Sequence, residues 1–312
     1  MENTVVKKKR TKLDRKMDKI KALEESGALK KQKKVNRYLR KFMNNKLAVA
    51  GVIVFVIILI ACFAAPLFTK YDPGTIDVLN RLQPPTKEHI LGTDKLGRDV
   101  FTRLLYGGQV SIVVGLGSAL GAAFIGVTLG CYAGYKGGLL DNLIMRVSEL
   151  MMSFPRIILV LLLVTIVGQS LSNLLIIFIC TGWASMYRMA RAQMLSLREE
   201  EYVQALKAFG INDFVIAFKH MLPNALGPIS VNITLSTAMF ILQETALSYL
   251  GLGVPLDIST WGNILNAAQD LRILKESYWM WLPVGLTISL FVLSVNFIGD
   301  GLRDSTDPTQ QG

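Results

Sequence analysis

The chain has 312 residues, 51% of them hydrophobic and only 18% charged, with a mean hydropathy of +0.40. That is too apolar for an ordinary soluble domain of this length. Residues 1–46 hold 17 Lys and Arg against 5 Asp and Glu, and the remainder holds 17 against 18, so the basic character belongs to a tail and excludes a nucleic-acid-binding domain.

The first apolar run starts at Leu47, too late and too long for a cleavable signal peptide, and is read as a retained membrane span. From Val35 onward the tail reads VNRYLRKFMNNKL. Val35, Tyr38, Leu39 and Phe42 recur at helical spacing among basic residues, which predicts an amphipathic helix drawn to anionic lipid at the inner membrane surface. Residues 47–69 give span one. In the following loop Asp94 is expected to N-cap a short interfacial helix carrying Val100, Leu104 and Leu105, ended by Gly107-Gly108. Span two is expected over 111–132, rich in small residues that let helices approach closely.

Residues 157–187 carry no charge for 31 positions. One helix of that length would be about 46 Å long, against a hydrocarbon core of about 30 Å. The polar stretch GQSLSN at 168–173 therefore divides it, giving span three over about 147–167 and span four over about 171–190. Glu149 and Arg156, seven positions apart, then share one helix face near the inner mouth and are candidates for a gate or a helix cap. Spans five and six follow at about 225–247 and 278–299. Six spans put both termini on one side, and the basic tail makes that side cytoplasmic. Loop 191–223 is then cytoplasmic, and loops 70–109 and 251–277 face outward.

Cys62, Cys131 and Cys180 all lie in apolar runs and read as small core residues. His89 and His220 lack Cys neighbours, so no metal site is expected. Glu244 is an ionisable residue inside span five and by default a candidate for the substrate path, with a purely structural role as the alternative.

The cytoplasmic stretch YVQALKAFGINDFVIAFKHMLPN, residues 202–224, interrupts this pattern. Tyr202–Phe209 favours helix, Gly210 supplies a left-handed turn, Asn212 or Asp213 can cap a second helix, and Pro223 and Pro228 bracket the start of span five. A short helix exposed to the cytoplasm with its ends on two spans is a mechanical handle.

This stretch resembles the coupling loop of ABC-importer permeases, whose pattern is Glu-Ala-Ala, three residues, Gly, nine residues, then Ile-x-Leu-Pro. Here Gln204-Ala205-Leu206, Gly210 and His220-Met221-Leu222-Pro223 keep the spacing, with Gln204, Leu206 and His220 departing from the pattern. Gly92–Asp99 (GTDKLGRD), His220–Asn224, Glu244–Gly253 (ETALSYLGLG), Trp261-Gly262 and Gly299–Pro308 resemble the peptide/nickel subfamily, specifically the second, "C"-type permease of oligopeptide and dipeptide importers. The similarity covers about residues 90–310.

The resemblance implies an all-α membrane protein, a bundle of about six spans of the type I ABC-importer permease kind with a cytoplasmic coupling helix. The expected organisation is a basic tail over 1–46, a first span and outer loop over 47–109, a permease core over 110–304 with the coupling loop at 201–223, and a tail over 305–312. It implies import of peptides across a bacterial cytoplasmic membrane, or of nickel chelates or glutathione-like compounds by the same architecture. The implied partners are a homologous second permease, an extracellular substrate-binding protein and two ATPase subunits. No phosphate-binding loop is present, so ATP and magnesium would belong to those ATPases, and this chain would be a transport subunit and no enzyme. The contact with an ATPase is expected at Tyr202, Gln204, Ala205, Leu206, Gly210, Asp213, His220 and Pro223. The rival class, an ion-coupled secondary transporter, would need an ion site and internal repeats, neither of which is evident.

Overall fold

A computed structural model describes residues 39–306. Residues 1–38, including Val35 and Tyr38 of the expected tail helix, and 307–312 lie outside the described residues. The described part is helical, with no strand among its elements. The long elements are α1 (Lys46–Phe63), α2 (Val100–Lys136), α3 (Gly138–Met152), α4 (Arg156–Val167), α5 (Leu171–Leu197), α6 (Glu201–Ala208), α7 (Asp213–Tyr249) and α8 (Tyr278–Thr306). Five of these, α1, α2, α5, α7 and α8, are long and apolar enough to cross a membrane. The pair α3 and α4, bent by 88°, makes a sixth crossing if it counts as one.

Polar backbone in hydrocarbon must be satisfied within its own helix, which is why the apolar runs emerge as long unbroken helices. The lengths carry information. At 37 residues each, α2 and α7 are about 55 Å long, so both project well beyond a core of about 30 Å.

Several boundaries differ from the sequence reading. Asp99, not Asp94, caps α2, accepting from the Thr102 N–H at 2.7 Å. Gly107-Gly108 does not end a helix, and α2 runs straight through both. A Cβ on Gly108 would lie 2.3 Å from Cys62 Sγ and 2.9 Å from the Trp261 ring, so the small residue there serves close packing. The break at Gly168–Ser170 occurs, with Gly168 at φ 93° and Ser170 capping α5. Span three, however, is no continuous helix over 147–167. Pro155 lacks an N–H and disfavours helical backbone before it, and the chain bends at Ser153–Pro155. The second half of the coupling stretch is not a separate helix but the start of α7. A π-helical segment at Ile216–Met221 precedes Pro223 in the first turn of Leu222–Tyr249, and Pro228 lies inside that helix. A widened turn accommodates the proline ring, which would otherwise clash with the carbonyl four residues earlier. Cys62 and Cys131 are buried as expected, but Cys180 is exposed.

The most extensive interface is α2 on α5. Its centre is the close approach of Gly126 and Gly130 to Trp183–Arg191. A Cβ on Gly130 would meet the Tyr187 carbonyl oxygen at 2.6 Å and Ala190 Cβ at 2.8 Å. Phe178 and Phe240 stack at 5.2 Å in the adjoining core. The helix α1 lies against α8, where a Cβ on Gly51 would meet the Ser294 carbonyl oxygen at 2.8 Å. Asn45 caps α1 and donates to Asp304 at 3.0 Å, joining the two ends of the described chain.

Because backbone lines the Gly130 contact, Gly130→Ala is expected to destabilise the protein by about 1–3 kcal/mol through overpacking. Gly117→Ala, where the nearest atom is a leucine methyl at 3.5 Å, should be tolerated. Thermal unfolding of the two detergent-purified variants checks the contrast.

Candidate functional site: the α6–α7 turn and a charged cluster at the opposite end

The helix α6 is anchored by Val203, fully buried against Cys131, Tyr135, Met194, Ile216 and Met221, with Leu206 packed on the same cluster. Its opposite face is open: Tyr202, Gln204, Ala205 and Phe209 are exposed. At its C-terminus the Gly210 N–H donates to the Lys207 carbonyl at 3.0 Å and the Ile211 N–H to the Leu206 carbonyl at 3.2 Å. That is the Schellman pattern, which requires left-handed backbone, and Gly210 has φ 72°. A Cβ there would touch nothing within 4 Å, so the demand for glycine comes from the backbone angle alone. Asn212 accepts from the Phe214 N–H at 2.9 Å and starts α7. Phe209, Ile211 and Phe214 stand exposed around the turn.

The predicted contact residues separate into two groups. Tyr202, Gln204, Ala205, Gly210 and Asp213 share the open region, while Leu206 turns inward. Gln204 donates to the Arg198 carbonyl at 3.0 Å, and Asn224 donates to the Tyr202 hydroxyl at 3.2 Å. His220 is half-buried in the π segment, its carbonyl accepting from Asn224 at 3.0 Å. Pro223 is exposed in the first turn that follows.

Two further clusters escaped the sequence reading. Arg191, at the same end of α5 as the coupling segment, donates to both carboxylate oxygens of buried Asp141 at 2.6 Å each, and the Tyr187 hydroxyl adds a bond at 2.8 Å. This bidentate pair ties α3 to α5. The signal was an acid just past a Gly-Gly turn, with an arginine at the end of the next long apolar helix.

The second cluster lies at the opposite end of the bundle. Asp94 accepts from the Leu96 and Arg98 N–H groups at 2.8 and 3.0 Å, from Arg98 Nε at 2.7 Å and from Arg103 Nη1 at 2.6 Å. Arg103 also donates to Ser259 at 3.1 Å, so this acid joins the first loop to the segment before Trp261. His89 bonds Asp99 at 2.9 Å and stacks on Tyr71. Gly97 sits where any Cβ would strike the Asp77 backbone. A cavity of about 530 Å³ opens beside this network, lined by Lys95, Asp257 and Asn263 among others. Burial pushes the Asp94 carboxyl upward, but Arg103, Arg98 and the Leu96 N–H outweigh it and hold it below the usual carboxylate range.

Glu244 is fully buried and accepts from Ser111 at 3.0 Å and Ser248 at 2.8 Å. Ser111 in turn accepts from the Trp261 N–H at 3.1 Å. It joins α2, α7 and the Trp261 segment and has no open surface here. Glu149 and Arg156 do not share a face, because the bend at Pro155 puts them on different helices. Glu149 pairs with Arg146 at 3.0 Å on the surface, and Arg156 is half-buried against Ser185 and Phe240.

Residues 126–310 match the family described as "Binding-protein-dependent transport system inner membrane component", and residues 36–85 match the "N-terminal TM domain of oligopeptide transport permease C". The chain belongs to the binding-protein-dependent permease family. This permease is 39% identical over 269 residues to the oligopeptide transport system permease protein OppC of Bacillus subtilis, covering 86% of this chain and 87% of the relative. It is 41% identical to the dipeptide transport system permease protein DppC of Alkalihalophilus pseudofirmus, covering 86% and 88%. It is 37% identical to DppC of Bacillus subtilis, covering 86% and 84%. The permease fold accounts for the helical bundle, and residues 126–310 include the whole coupling segment.

Asp94→Ala would leave Arg103 buried without its carboxylate, which costs about 3–5 kcal/mol. The variant should show a thermal midpoint lowered by several degrees, whereas Asp257→Ala, at an exposed position on the same face, should shift it little. A carboxyl lowered on folding stabilises the fold above its unfolded value of about 3.9, and this contribution is lost as pH falls further through the folded value. Acid unfolding below about pH 4 should therefore be flatter in the variant than in the wild type.

Proposed function

We propose that this permease is one membrane-spanning subunit of an ATP-driven peptide importer, and that α6 with the Gly210 turn is its contact with an ATPase subunit. The names of the relatives, which are oligopeptide and dipeptide permeases, support the peptide cargo. The observation that carries the coupling role is α6 itself: anchored by Val203, open on Tyr202, Gln204 and Ala205, and rigidly joined to α5 and α7. A push on such a helix moves both long helices together. That is the mechanical requirement for rigid-body switching between inward-open and outward-open states.

In this reading both termini and the coupling segment are cytoplasmic, as the excess of basic residues before Lys46 favours. The Asp94 network then faces outward, toward an extracellular substrate-binding protein. A homologous second permease completes the passage, two ATPases supply ATP and magnesium, and the basic tail rests on anionic lipid. Exposed Phe209, Ile211 and Phe214 are the apolar groups such a contact would cover.

The test is crosslinking in the assembled complex, with Cys62, Cys131 and Cys180 replaced. Ala205→Cys should crosslink to an ATPase subunit, and the yield should change with nucleotide. Ala267→Cys, at the other end of the bundle, should not. Absence of a crosslink at every position from 202 to 213 would remove the assignment, and a crosslink at 267 instead would invert the topology.

A further inference from the structure

Arg156 lies where a membrane protein rarely leaves a cation unpaired. It begins α4, a helix of 12 residues, about 18 Å long. That is little more than half of a hydrocarbon core of about 30 Å. Its guanidinium donates to Ser185, near the middle of the 27-residue α5, at 3.4 Å, and sits over the Phe240 ring at 5.6 Å. Both contacts place it inside the bundle, between α4, α5 and α7. Among the described residues no carboxylate pairs with it.

A second, independent feature adjoins it. Asn232, Ser236 and Gln243 recur at i, i+4 and i+11 on α7 and therefore share one face, and all three are half-buried. Ser236 and Gln243 lie one turn to either side of Phe240. Asn232 Oδ1 and Gln243 Oε1 are buried and have no hydrogen-bond partner. A polar stripe turned to lipid would be costly, so this face borders protein or an aqueous passage.

We infer that Arg156 and this stripe form a binding site within the bundle for a carboxylate-bearing peptide, with the guanidinium taking the substrate carboxylate and the side-chain amides of Asn232 and Gln243, uncovered when the helices part, taking its backbone N–H groups. A guanidinium suits a carboxylate because its planar fork matches both oxygens. The unpartnered oxygens suit a chain of amide donors. The inference rests on the peptide-import reading above.

The experiment uses the complete importer in proteoliposomes with its binding protein, and compares variant with wild type for each peptide separately, so that the preferences of the binding protein cancel. The peptides are tri-alanine, tri-alanine amide, and Ala-Glu-Ala amide, whose carboxylate is on the side chain. Arg156→Gln should lower ATP-dependent uptake of tri-alanine about tenfold, the equivalent of one charge-assisted hydrogen bond, and leave tri-alanine amide nearly unchanged. Arg156→Lys, which keeps the charge and loses the fork, should recover only part of the tri-alanine uptake. A loss confined to Ala-Glu-Ala amide would support the site with a side-chain carboxylate as its ligand. Equal loss for all three peptides, no loss for any, or failure of both variants to assemble would make Arg156 structural and overturn the site. Absence of ATP-dependent uptake of any peptide by the wild type would instead overturn the import reading.

Discussion

Backbone N–H and C=O groups in hydrocarbon have no partner except within their own helix. That constraint makes the long helices and gives meaning to the places where they stop. In this chain the deviations from straight helix are few and each has a physical cause: Pro155 bends α3 away from α4, Gly168 turns α4 toward α5, Gly210 turns α6 toward α7, and Pro223 is accommodated by a π segment. The two breaks with functional readings, at Pro155 and Gly210, differ in kind. One leaves a half-buried cation at the start of α4, and the other leaves an exposed turn between α6 and α7.

Buried charge organises what the helices cannot. Asp94 gathers Arg98 and Arg103 at one end of the bundle, Asp141 holds Arg191 at the other, and Glu244 is satisfied by hydroxyls between them. Each joins elements far apart in sequence, so each acts as a fixed joint between rigid helices. The Asp141–Arg191 pair is well placed mechanically, since it ties the bent pair to the helix that leads into α6. Motion imposed at the coupling segment would then reach α3 through a bidentate ion pair as well as through packing.

The sequence made the helices themselves legible, because length and absence of charge suffice to find them. The turn at Gly210 and the break after Val167 were legible for the same reason, being local chemistry: a glycine where φ is positive, and a serine cap following a polar run. What stayed hidden depended on tertiary contacts. Gly107-Gly108 looks like a helix end until Trp261 and Cys62 are seen packed against it. Asp94 looks like a cap until Arg103 reaches it. Glu149 and Arg156 share a face only if the helix between them is continuous, and Pro155 breaks it. The exposure of Cys180 could not be read from an apolar run, because such a run does not say which side faces lipid.

If α6 couples this chain to ATPases, it moves peptide only while ATP is hydrolysed. The most direct measurement is uptake of a labelled tripeptide into proteoliposomes holding either the chain alone or the chain with its partner permease, two ATPases and binding protein. The account predicts no accumulation by the chain alone under a proton or sodium gradient, and accumulation by the full assembly only when ATP is hydrolysed. Gradient-driven accumulation by the isolated chain would contradict it and identify a secondary transporter.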